Sequence, residues 1–224
     1  PYHRAVFGRA GEPVVVVNIG GMANVSVLDG RGGVVGFDSG PGNVLLDAWC
    51  ERCTGAAFDA DGALAATGAV QPALLALLVA DPFFSLPPPR STGRDLFSPA
   101  WLDERLAGAG EHHSPADTQA TLAEFTARTI ADAITQGLTS AGVPLQERAI
   151  DSQSIPTACV PVWVCGGGAL NSDLMRRLQA CLPGTRVRPT DEAGLPALQV
   201  EACAFAWLAR ERLAGRPTSE ATVT

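Results

Sequence analysis

Four consecutive valines, Val14 to Val17, run into Asn18 and stop at the pair Gly20-Gly21. Val25-Ser26-Val27-Leu28 alternates and ends at Asp29-Gly30, and Val34-Val35-Gly36-Phe37 follows Gly32-Gly33. Three short β-branched runs separated by glycine turns predict an antiparallel meander. The period then changes. From Asn43 to Cys53, Leu45, Leu46, Trp49 and Cys53 fall near one face of a helix, with Pro41 just ahead of it. Pro72 to Val79 and Pro99 to Leu106 read as short helices, divided by Pro87-Pro88-Pro89, which cannot be helical. Leu122, Phe125, Ile130 and Ala133 make one buried stripe of a long helix over 118–138, for which Asp117 is the expected N-cap. Residues 142–157 are polar and predict a surface loop. Val160 to Cys165 is an apolar run suited to a strand buried on both faces. Gly166-Gly167-Gly168 then leads into a helix over 169–181, a short strand over 185–188 and a closing helix over 198–213. The polar tail, 215–224, is expected to fray.

Three meandering strands, a helix, an inserted helical segment at about 56–116, then helix, strand, helix, strand, helix is the order of an α/β, ribonuclease H-like fold, the unit repeated in each half of actin-like sugar kinases. Hairpins followed by parallel crossovers predict one mixed sheet with helices on both faces. Such an architecture does not by itself name a function.

Composition narrows the field. The 224 residues are 46% hydrophobic and 17% charged, enough apolar content for a sizeable core. The balance of 16 basic and 23 acidic residues gives −7, which argues against a nucleic-acid surface. No apolar run approaches the roughly 20 residues that cross a bilayer, and no basic, apolar, small-residue leader pattern is visible, so neither a membrane partner nor secretion is expected. Every basic residue is arginine. Without lysine there is no Walker A loop and no Schiff-base amine. The six cysteines include one CxxC, Cys50 and Cys53, with no second pair to complete a zinc site. Their apolar settings fit reduced thiols in a cytoplasmic protein.

Chemistry gathers at three glycine-rich bends that follow strands. Gly20 and Gly21 would let backbone amides approach an anion, or simply turn a hairpin. In Gly36-Phe37-Asp38-Ser39-Gly40-Pro41-Gly42-Asn43 an aspartate ends a strand before a helix whose N-terminus favours an anion. Asp38 fits a general base on water or a hydroxyl; it also fits a helix cap, as do Ser39 and Asn43. Gly166, Gly167 and Gly168 with Asn171 could seat a nucleotide against bare backbone, although this is no GxGxxG.

The segments NIGGMANV at 18–25, GFDSGPGNVLLDAW at 36–49, FDADGALAATG at 58–68, RSTGRDLF at 90–97, DTQATLAEFTA at 117–127, CGGGALNSDLM at 165–175, TDEAGLP at 190–196 and VEACAFAWLA at 200–209 strongly resemble the anhydro-N-acetylmuramic acid kinase family, in order and over nearly the whole chain. The resemblance implies a cytoplasmic enzyme of peptidoglycan recycling. It would use ATP, with Mg²⁺, and water to open the 1,6-anhydro ring of anhydro-N-acetylmuramic acid and phosphorylate O6, giving N-acetylmuramic acid 6-phosphate. Asp38 matches the family's catalytic base. Gly20 and Gly21 match a phosphate-facing turn, Gly40 a cofactor-binding position, and Gly166 to Gly168 with Asn171 the adenosine-side loop. Glu201 matches a sugar-contacting carboxylate, with a surface salt bridge as its alternative, and Arg94 either touches substrate or pairs with an acid. The family's first phosphate loop, of the form SGTSxDG, has no counterpart in this sequence, so residues 1–224 are expected to be the second, C-terminal actin-like lobe without the first. The alternative is a non-catalytic nucleotide- or sugar-binding module. The apolar helices at 72–79 and 198–213 leave a homodimer open.

Overall fold

The computed structural model describes residues 1–110, 113–144, 160–219 and 223. After a short helix α1 (Tyr2–Phe7), strands β1 (Val14–Ile19), β2 (Met22–Leu28) and β3 (Val34–Pro41) form the antiparallel meander. Then come α2 (Val44–Thr54), α3 (Ala63–Thr67), α4 (Pro72–Val79), α5 (Pro99–Ala109) and the long α6 (Pro115–Ser140). Strand β4 (Pro161–Cys165), helix α7 (Ser172–Cys181), strand β5 (Arg186–Pro189) and helix α8 (Val200–Leu213) complete the order.

The five strands make one sheet in the order β3-β2-β1-β4-β5, with β4 parallel to β1 and β5 parallel to β4. The four-valine run is the centre of that sheet. Hydrogen-bonded on both edges and covered on both faces, it can afford no polar side chain until Asn18. Alternation sends Val15, Val17, Ile19, Val25, Val27 and Phe37 toward α6 and α7, and Val14, Val16, Leu28 and Val34 toward α1 and α8. Helices therefore cover both faces, as the pattern predicted. The helices between α2 and α6 build a separate apolar cluster, centred on Phe83, Phe97, Trp101 and Phe125, against the first half of α6.

Four expectations need correction. The N-cap of α6 is Ser114, whose hydroxyl accepts from the Asp117 amide; Pro115 follows it, and the helix starts one turn earlier than read. The helix expected from 169 is two pieces. A tight turn at Gly167–Leu170 ends at Asn171, whose side-chain oxygen accepts from the Leu174 amide and starts α7 afresh. Leu198 lies in a short turn, Ala197–Gln199, before α8 begins. The tail does not simply fray: Arg216 folds back onto Glu211, and Val223 bridges to Gly36. The loop expected over 142–157 lies outside the described residues from 145 onward.

Candidate active site

Strand register lines up a row of polar side chains on the face that carries α1 and α8. Asn18 stands opposite Asn24, Asn24 opposite Asp38, and Asn18 is also paired with Cys165. Opposed residues share a face and lie about 5 Å apart, so these four cross the sheet in a line at the β1–β2 turn. The first turns of α8 roof part of that line. A cavity of about 170 Å³ has Asn18, Asn24, Cys165 and His3 on one side and Val200, Glu201, Ala204, Phe205 and Leu208 on the other. An apolar wall facing a few polar groups suits one face of a sugar ring. Asp38 lies at the next position beyond Asn24 in the same row.

Two groups in this cavity stay neutral at pH 7. Burial, helped by the positive charge of the amino terminus, lowers the pKa of His3 to about 4, and its Nδ1 lies 3.0 Å from the Ser26 hydroxyl. Burial, with the nearby charge of Glu201, pushes the Cys165 thiol up to about 12, and its Sγ points at the Asn18 side-chain oxygen, 3.8 Å away. Such a thiol is not a nucleophile.

Asp38 caps no helix. Its Oδ2 accepts from the Ser91 hydroxyl at 3.0 Å and the Thr92 amide at 2.9 Å. Its main chain is also engaged: the Asp38 amide donates to the Arg90 carbonyl at 3.0 Å, and the Arg90 Nε donates to the Asp38 carbonyl at 3.2 Å. Asn43 takes the N-cap position of α2, but its side chain turns away and donates to the Ile19 carbonyl. The Ser39 hydroxyl donates to the Ala23 carbonyl instead.

The three glycine bends do converge, partly by binding one another. The amides of Gly42 and Val44 donate to the Gly21 carbonyl, and the Asn43 amide donates to the Gly20 carbonyl. The start of α2 is thus tied to the first bend, which corrects the expectation that this helix N-terminus stands ready for an anion. Gly166, at φ +81°, lies so close to Asn18 and the Ile19 carbonyl that a Cβ would collide with both. Gly168 packs on the Ile19 side chain, and Gly167 lies beside the Asn43 side-chain amide. Gly40 has a different surrounding from the one expected: the Phe84 ring covers it, where a Cβ would meet the ring edge at 2.9 Å.

Arg94 comes to the first bend from the inserted helices, its guanidinium against Gly21. Burial raises the pKa of Asp47, and the neighbouring charge of Arg94 opposes the rise. Glu201 is exposed in the first turn of α8 and belongs to no ion pair among the described residues, so the salt-bridge alternative fails there. Asn171 faces Gly62 while its oxygen caps α7. Sequence reasoning missed His3, Asn18, Asn24, Ser91 and Thr92. The two asparagines were findable, since each stands three positions from Gly21 and a hairpin centred there pairs such positions. Nothing near His3 signals its place. No cluster of three or more His, Cys, Asp or Glu among the described residues could hold a metal ion, so these side chains do not form a cage for Mg²⁺. No helix among them is long and apolar enough to cross a membrane.

Comparison with known proteins adds a family. The family model described as anhydro-N-acetylmuramic acid kinase matches residues 1–224. The chain is 50% identical over 224 residues to the anhydro-N-acetylmuramic acid kinase of Cupriavidus pinatubonensis, covering 99% of this chain and 55% of that protein. It is 45% identical over 223 residues to the Xanthomonas campestris protein of the same name, covering 100% of this chain and 54% of the relative. The chain therefore spans about half the length of the curated relatives it matches. Among solved structures, the activator of the 2-hydroxyisocaproyl-CoA dehydratase from Clostridium difficile with bound ADPNP aligns at a TM-score of 0.51 and 15% identity, over 98% of this chain and 69% of that one, a likeness of fold. With the sheet order, the shared motifs and the family match in agreement, this chain belongs to the anhydro-N-acetylmuramic acid kinase family.

Proposed function

We propose that these residues form the second actin-like lobe of a cytoplasmic kinase that opens the 1,6-anhydro ring of anhydro-N-acetylmuramic acid and phosphorylates O6 with ATP. The placement of Asp38 carries the reading. Its carboxylate stands in line with Asn24 and Asn18 beside a half-apolar cavity, and both of its hydrogen bonds fall on Oδ2. Oδ1 is then the oxygen that takes a proton from a water attacking the anomeric carbon. As the C1–O6 bond breaks, its electron pair stays on O6, which attacks the γ-phosphorus and displaces ADP. Glu201, Asn18 and Asn24 hold the sugar, while Arg94 and the Gly20-Gly21 bend face the phosphates. Gly166, Gly167 and Gly168 with Asn171 border the adenosine. Mg²⁺ brought by ATP would supply positive charge that offsets the charge of the phosphates. A first lobe closing over this face would exclude water that otherwise wastes ATP.

The test is turnover by the whole polypeptide that carries these residues. ADP release coupled to N-acetylmuramic acid 6-phosphate is expected, and Asp38→Asn, which keeps the shape but not the basicity, should reduce it by about 100- to 10,000-fold. Undiminished turnover by that variant would remove Asp38 from the base role. Binding of both ligands without any ADP release would instead make the protein a non-catalytic module.

A further inference from the structure

The segment between α4 and α5 meets the outer edge of β3 at Asp38, and Arg90 is its anchor. Only 5% of Arg90 is exposed. Its guanidinium lies between the rings of Phe37 and Phe83, 5.4 and 5.1 Å from their centroids. Its Nη1 donates to the Leu86 carbonyl at 2.6 Å and to Gln136 on α6 at 3.0 Å, and its Nε donates to the Asp38 carbonyl. The Arg90 carbonyl in return accepts the Asp38 amide. A buried cation is tolerated only when so surrounded by acceptors, and here they come from three separate elements that must stay in one arrangement. The next two residues are the two donors to the Asp38 carboxylate.

We infer that Ser91 and Thr92, locked in place by Arg90, are positioning residues that fix the plane of the Asp38 carboxylate and leave its Oδ1 to face the attacking water. The inference rests on the proposed role of Asp38 and adds how that role is maintained. Two donors on one oxygen stop rotation about the Cβ–Cγ bond, because turning the carboxylate would forfeit both charge-assisted bonds. One donor comes from the backbone and survives any substitution of its own side chain. The Ser91 hydroxyl is therefore the variable member.

The experiment has two readouts on the whole polypeptide. In turnover, Ser91→Ala should lower kcat about tenfold, with KM for ATP and for the sugar within about twofold, because the loss is one of geometry at the reacting atoms and not of substrate affinity. Ser91→Thr retains the hydroxyl and should recover kcat to within about threefold of the parent. A raised KM at constant kcat, or no recovery with threonine, overturns the inference. The second readout is independent of catalysis. Arg90→Lys cannot span the same acceptors, so exchange of the Asp38 and Thr92 amides should accelerate about tenfold or more while the β1 amides keep their protection. Unchanged exchange at residues 38 and 92 overturns the lock. Failure of the base assignment is distinguishable: full activity in Asp38→Asn removes the base, whereas full activity in Ser91→Ala beside an inactive Asp38→Asn removes only the positioning role.

Discussion

His3 is the residue whose titration the fold most clearly reports. It sits on α1 against the Ser26 hydroxyl and the start of α8, where burial, with the positive charge of the amino terminus nearby, lowers its pKa from 6.5 to about 4. The unfolded chain takes up a proton near pH 6.5 and the folded one does not until near pH 4, so the unfolded state binds more protons throughout that interval. Stability due to neutral His3 is complete above pH 6.5 and is lost as pH falls toward 4, by about 3 kcal/mol. Denaturant melts at pH 7.5, 5.5 and 4.0 check this against a His3→Gln variant, which keeps a polar partner for Ser26 but does not titrate. The parent should lose about 3 kcal/mol more than the variant across the interval. Parallel curves for the two proteins would show that His3 is open to water. A histidine of this kind announces nothing in sequence, because its environment is made by residues 23 positions and some 200 positions away. Asp38 was legible for the opposite reason, since strand, aspartate, glycines and helix are contiguous.

Elements with a strong period were legible in sequence, and the misread boundaries share a cause. Strands β1 to β3 and helices α2, α4 and α6 follow from valine runs, glycine turns and apolar spacing that lie within one window. The six-residue α1 and five-residue α3 have too few turns to show a period. At α6 the expected start is one turn late because it rests on Asp117 as the cap. Ser114 caps the helix, and Asp117 is used elsewhere: its carboxylate accepts from the Ala69 amide at 2.7 Å, which lowers its pKa, while the Gln71 amide donates to Thr121. Gly68 is pressed against the start of the same helix, where a methyl group would run into the Ala116 carbonyl. These contacts hook the 68–71 segment over the first turns of α6. Ser114→Ala should therefore cost only about 1 kcal/mol, the usual loss of a cap. Gly68→Ala should cost about 3 kcal/mol, because it forces two backbone segments apart. Urea denaturation of both variants checks the order, and a milder effect at Gly68 than at Ser114 would mean that the hook is loose.

At the scale of the molecule, α6 joins two cores that sequence alone could not relate to one another. Its 26 residues extend about 39 Å. Ala127, Ile130, Ala133, Ile134 and Leu138 pack on the sheet, whereas Leu122, Ala123 and Phe125 pack with the aromatic cluster of the inserted helices. The insertion also holds the candidate site: Arg90, Ser91 and Thr92 clamp the end of β3, and Arg94 lies on the first glycine bend. Sequence placed the insertion beside the fold but could not show that the segment between α4 and α5 grips the aspartate, since that contact spans more than 50 residues. The two cores should consequently open as one unit. Phe125 is fully buried against Phe84 and Trp101, and Phe125→Ala should cost about 3–5 kcal/mol. If α6 transmits the loss, amide protection should fall by a similar free energy in α5 and in the central strand β1, although the core residues of β1 and Phe125 belong to different apolar clusters. Native-state hydrogen exchange measures both segments in one experiment. Loss confined to α5, with β1 protected as before, would make the insertion a separately folding appendage and would sever the mechanical link between it and the Asp38 row.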